Sequence, residues 1–218
     1  MKYYKFLNPE GVPMTGTGTW SLPVNGEPGK WMPKVETLEM CRSGYHATPK
    51  DHLIEWCYGP HLYEFEGRGE MLQGNDKVVF EEARLVKEIP GWNKQTAVLF
   101  ACDCAEHVLH FFEERYPKDK RPREAIQAAR EYVDGQITLW ELGKAEDVVW
   151  EAWAADVGWA AAREAWAAEA AARAAGAAAE AAGAARAADA AARAAWVAAD
   201  AVERKWQNDL LLKKLGLK

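Results

Sequence analysis

Residues 78–98 read VVFEEARLVKEIPGWNKQTAV, and inside this stretch the pattern of the chain changes. Val78 to Val86 is rich in β-branched residues, as a half-buried strand requires. Pro90-Gly91 then breaks the chain. From Asn93 onward the apolar positions Val98, Leu99, Ala101, Ala105, Val108, Leu109 and Phe112 recur at helical spacing. Asn93 or Thr96 can cap that helix, and Pro117 ends it near Tyr116.

Upstream of the break, short aromatic or apolar runs alternate with turn clusters such as NPEG, PVNGEPG and QGND. Lys2 to Leu7, His61 to Glu66 and Val78 to Val86 read as strands. A further strand ends in Tyr45-His-Ala-Thr48. Pro49 to Cys57 reads as a short helix, with Thr48 as its cap and Pro49 in its first position. Downstream, Pro122 sits correctly to open a helix over Arg123 to Val133, which Asp134-Gly135 stops, and another helix begins near Thr138 or Leu139. The expected fold class is therefore α+β: a small antiparallel β-rich domain over 1–90, followed by an alanine-rich antiparallel helical bundle over 91–218.

From Ala160 to Val202 alanine dominates, and the other residues fall almost always three or four apart, which puts them in one stripe on a helix. Alanine buries little area, so Trp150, Trp153, Trp159, Trp166 and Trp196 are expected to carry much of the apolar stabilisation. One helix from Lys144 to Lys205 would run about 90 Å. Breaks are expected at Gly158, Gly176 and Gly183.

No run approaches the roughly 18 strongly apolar residues of a membrane span, and charge and proline interrupt MKYYKFLNPEG before a signal-peptide core could form. A cytoplasmic location is expected. The net charge of −6 disfavours general attraction to nucleic-acid phosphates. Four cysteines, Cys41, Cys57, Cys102 and Cys104, are too few for a disulfide framework in a chain of 218 residues and read as free thiols.

Cys41, His46, Cys57 and His61 are zinc-ligand types in a loose series without a Cys-x2-Cys knuckle, so buried thiols and hydrogen-bonded imidazoles are the expectation, with no metal and no cofactor. A ligand cleft could be lined by Arg42, Tyr45, His46, Tyr63 and Glu64, in which a tyrosine stacks on a ring and the charged groups meet polar atoms. Further on, Asp103, Glu106, His107 and Asp119 form a possible polar cluster. Asp103 and His107 lie one helical turn apart, and a hairpin would bring Arg121 and Arg123 near that helix's end. No nucleophile, phosphate loop or carboxylate dyad completes a catalytic set. Arg121, Arg123, Trp150 and Trp153 are the expected contacts to a protein partner.

Arg42 to Glu66, with its strand, helix and Tyr-Glu-x-Glu strand, is similar in outline to ADP-ribosyltransferase-like domains, which would imply a nucleotide-binding enzyme or a nucleotide-sequestering protein. Cys41, Gly44, Tyr45, His46 and Ala47 more nearly resemble an uncharacterised domain of phage and prophage proteins. Ala101-Cys-Asp-Cys-Ala-Glu-His-Val-Leu109, the Tyr116 to Ile126 stretch and Ala128-Ala-Arg130 resemble the immunity protein family of bacterial toxin loci, over about 91–201. That resemblance implies a helical, non-catalytic neutraliser of a protein partner, either a toxin or a host defence effector. A phage structural or assembly component is the third reading.

Overall fold

The computed structural model describes residues 2–57, 59–145 and 201–217. Trp150, Trp153 and the glycines at 158, 176 and 183 lie outside the described residues, as does nearly all of the alanine tract. The fold is mixed α+β, with an antiparallel β region followed by helices. The chain divides into two compact units, 1–92 together with 211–218, and 93–210.

In the first unit, strands β1 (Tyr3–Leu7), β2 (Tyr45–Pro49), β3 (His61–Gln73) and β4 (Val78–Glu88) close an antiparallel barrel in the order β1-β2-β4-β3. The register pairs Tyr4 with Thr48 on one side and with Glu64 on the other. Alternation along β1 divides its side chains between two faces. Tyr3 and Leu7 pack with the buried cluster of Trp20, Ala47, Tyr63, Phe65, Val78, Phe80, Ala83 and Leu85, whereas Phe6 turns the other way and meets Trp92 edge-on. Trp20 comes from the long β1–β2 connection and packs against Tyr45 and Phe65, so an indole fills space that the short strands leave. Each such ring contributes roughly 1.5–3 kcal/mol by leaving water. Along the same connection, Gly29, Met32 and Val35 donate backbone hydrogen bonds to Leu85, Ala83 and Glu81 of β4.

The expected helix after β2 is a 3-10 turn, Lys50–Trp56, with a non-helical His52 inside it. Thr48 does not cap it. As the residue before a proline Thr48 stays extended, and Pro49 is extended too, with ψ 157°. The Thr48 hydroxyl instead donates to carbonyls, those of Asp76 at 3.1 Å and His52 at 3.2 Å, tying β2 to the β3–β4 turn.

The second unit opens with helix α1 (Lys94–Arg115), whose first turn is capped by Asn93 Oδ1 accepting from the Thr96 amide at 3.0 Å. Buried residues from Ala97 to Phe112 wrap much of its circumference. Helix α2 (Arg121–Val133) carries Pro122 in its first turn and is stopped by Gly135, at φ 71°, as sequence punctuation predicts. Residues 139–145 are helical behind a capping box, in which Thr138 Oγ1 accepts from the Glu141 amide at 3.3 Å and Glu141 Oε2 accepts from the Thr138 amide at 2.8 Å. The last helix is described over Ala201–Leu215. No helix among the described residues is long and apolar enough to cross a membrane.

Candidate functional site

A cavity of about 650 Å³ opens in the first unit, lined by β1, β2 and the loop around Thr15. Of the sequence-derived ligand set, Arg42, Tyr45 and His46 line it. Tyr63 and Glu64 do not. Tyr63 is a core residue of the barrel, and Glu64, its neighbour on the opposite face of β3, lies 3.5 Å from both Lys2 and Lys87. The Tyr45 hydroxyl donates to Pro33 O at 2.7 Å, and Arg42 pairs with Glu39 at 2.9 Å.

His46 is committed to the backbone through both ring nitrogens. Nε2 accepts from the Cys41 amide at 2.8 Å, so the proton resides on Nδ1, which faces Gly44 O at 3.2 Å. Burial, helped by the nearby Lys5, lowers its pKa below the ordinary histidine value. A neutral imidazole with both nitrogens engaged braces the Cys41–Gly44 turn and has no lone pair left to accept a substrate proton. Gly44 sits at φ 107° in that turn, with the side chains of Val79 and Leu38 in the space that a Cβ would need.

The loose zinc-ligand series disperses. Cys57 is buried and its thiol pKa is pushed up by burial, while His61 Nδ1 meets Glu88 at 2.6 Å on β4. No group of three or more His, Cys, Asp or Glu suited to a metal occurs among the described residues.

In the helical unit, Asp103 and Glu106 join one ion-pair network with Arg130, Arg123 and Glu113, Arg123 Nη1 lying 3.6 Å from Glu106, while Asp119 pairs with Arg121. Arg130 on α2 bridges Asp103 and Glu106 of α1, with one Nη 2.8 Å from each. Arg123 forks onto Glu113 through Nε and Nη2, both at 2.7 Å, and the resulting hydrogen bonds hold the Glu113 carboxyl below the usual carboxylate range. Arg121 closes on Asp119, two residues before it, and lowers that carboxyl in the same way. His107 joins none of these. Its ring stacks on Trp206 at 3.8 Å and 9° between planes, and its Nδ1 lies 2.8 Å from Glu203, a carboxylate only 5% exposed.

Two features of this unit escaped sequence reasoning. Leu139 and Trp140 are 50% and 69% exposed, with Lys144 Nζ 3.3 Å from the centre of the Trp140 ring. Their position just inside a helix start, before the tryptophan-rich segment, was the available signal. Glu203 and Gln207, buried on either side of a half-buried Trp206, lie in a helix whose apolar period is weak, so their burial could not be read from spacing.

A family model described as Imm-5 like putative immunity protein matches residues 89–214. No curated protein and no solved structure gives a significant match to the chain.

Proposed function

The chain belongs to the Imm-5 like immunity protein family, and on that premise we propose that it neutralises a protein toxin by stoichiometric binding in the cytoplasm, with its helical unit supplying the contact. The observation that carries this reading is the extent of the family match, which spans α1, α2 and the C-terminal helix. The surface chemistry supports it. Trp140 is an exposed aromatic of the kind that anchors protein interfaces, and the carboxylate forks hold the Arg121 and Arg123 guanidinium groups in fixed orientations. A host defence effector encountered by a phage-borne copy would be met through the same contact.

Capture of partners on immobilised full-length chain, followed by expression of each captured protein with and without the chain in a bacterial host, tests the proposal. We expect growth arrest by the partner alone and recovery on co-expression, with a stable 1:1 complex. Arrest that persists despite the complex, or a partner without effect on growth, would overturn the reading. Trp140→Ala is expected to weaken the complex on the order of thirtyfold with no change in melting temperature.

A further inference from the structure

Lys5 stands in β1 between Phe6 and Tyr4 but on the other face from both, the face of Tyr3 and Leu7. A charged amine is thereby carried to the inner side of the barrel. Its Nζ donates to His46 O at 2.8 Å and lies 5.2 Å from the centre of the Trp20 ring. An ammonium has three N–H donors, and these contacts engage one of them and one aromatic face. No carboxylate among the described residues pairs with it. The residue and its hydrogen bond to His46 are part-buried, and burial alone lowers its pKa to about 8. A buried ammonium without a counter-charge is costly to keep.

That amine borders the 650 Å³ cavity. Arg42 and Lys77 line the same space, and no Asp or Glu does, although the chain holds 33 acidic residues and a net charge of −6. Lys77 Nζ rests 4.2 Å over Trp56 and enters no ion pair with a described residue. The hydroxyls of Thr15 and Thr17 add donors from the exposed loop at the cavity's edge. His46, neutral and tied to the backbone, adds no charge. Two lysines without a carboxylate partner among the described residues, with Arg42 already paired to Glu39 at the rim, are set against Trp20 and Tyr45 and give the cavity a positive potential.

We propose that this cavity binds a small organic oxyanion, a carboxylate or a phosphate monoester, with Lys5 Nζ as the part-buried anchor and Lys77 and Arg42 beside it in the lining. The volume lies within the range of metabolite pockets and far exceeds an inorganic ion. The anion supplies the counter-charge that Lys5 lacks among the described residues. This site lies outside the residues matched by the immunity family, and its test involves no protein partner.

Isothermal calorimetry on the full chain with adenosine monophosphate, citrate and uncharged adenosine decides the matter, together with acylation of Lys5 by acetic anhydride read by peptide mass spectrometry. One of the two oxyanions is expected to bind 1:1, with adenosine at least tenfold weaker, and to protect Lys5 from acylation. Tight adenosine monophosphate with weak citrate assigns a phosphate ester; the reverse assigns a carboxylate. Lys5→Met should weaken binding about ten- to a hundredfold, the loss of one charge-assisted contact, and Lys77→Ala several-fold. Binding by neither oxyanion, adenosine as tight as its phosphate, or full binding by Lys5→Met would each overturn the proposal. Should Lys5→Met not fold, the wild-type protection experiment and Lys77→Ala decide alone: unprotected Lys5 overturns it.

Discussion

Lys5 makes a demand on stability whose sign can be worked out. Its amine titrates near 8 in the folded chain and near 10.5 when unfolded, so between those values the unfolded state holds more protons and stability rises with pH. Below about 8 the full deficit is present, at most roughly 3 kcal/mol for a shift of this size. Lys5→Met, which keeps the length of the side chain and removes the charge, is therefore expected to raise the urea midpoint at pH 7, by an amount that shrinks as pH approaches 10.5. An unchanged midpoint at pH 7 would show that water reaches the amine in the folded state. Gly44 makes the opposite case. A Cβ there would come within 2.5 Å of Val79 Cγ2 and 2.7 Å of Leu38 Cδ2, at a φ of 107° that L side chains rarely adopt. Gly44→Ala should cost about 1–3 kcal/mol in thermal or urea unfolding. Residue type alone misleads at this scale. His46 reads in sequence as a ligand-cleft residue, yet both of its ring nitrogens are engaged by backbone groups of Cys41 and Gly44, contacts that spacing cannot show. Lys5 went unmarked, because YYKFL is apolar on both faces and offers no alternation from which the lysine's side could be read.

Among the elements, punctuation carried the most information. Asn93, Pro117, Pro122 and Gly135 bound α1 and α2 because capping and helix-breaking are local backbone chemistry. Asn93→Ala should cost about 1 kcal/mol, measurable in urea unfolding followed by far-ultraviolet circular dichroism. Strand length was less legible. β3 runs seven residues past the expected Glu66, to Gln73, because its ladder with β4 sustains a stretch whose side chains are mostly exposed. No hydrophobic alternation marks such a strand. Between α1 and α2, Arg130 serves two carboxylates from a side chain only 26% exposed. Arg130→Ala is expected to cost about 1–3 kcal/mol, more than the loss of an exposed ion pair. A loss under 0.5 kcal/mol would mean that water replaces the guanidinium without penalty.

At the scale of the molecule, pattern period separates strands from helices near Pro90, but it cannot show which unit the last residues join. Residues 211–218 group with 1–92. Leu211 is fully buried and Leu215 nearly so, and the backbone of Leu215 lies 3.5 Å from where a Cβ on Gly91 would stand. Leu211→Ala should destabilise the first unit by about 2–5 kcal/mol, read as faster hydrogen exchange at the β4 amides. Unchanged exchange there would detach the C-terminal residues from the barrel's stability.

That discontinuity sets an order of events on the ribosome. The barrel strands are all translated by residue 88, but the leucines that complete their unit are not made until more than a hundred residues later, an interval on the order of ten seconds at ordinary elongation rates. During that interval the nascent barrel waits without Leu211 and Leu215, both buried in the finished protein, while the helical segment emerges. A ribosome stalled within the alanine tract would hold a first unit whose strands are present and whose final covering is not, and such a chain is a natural substrate for holdase chaperones and proteases.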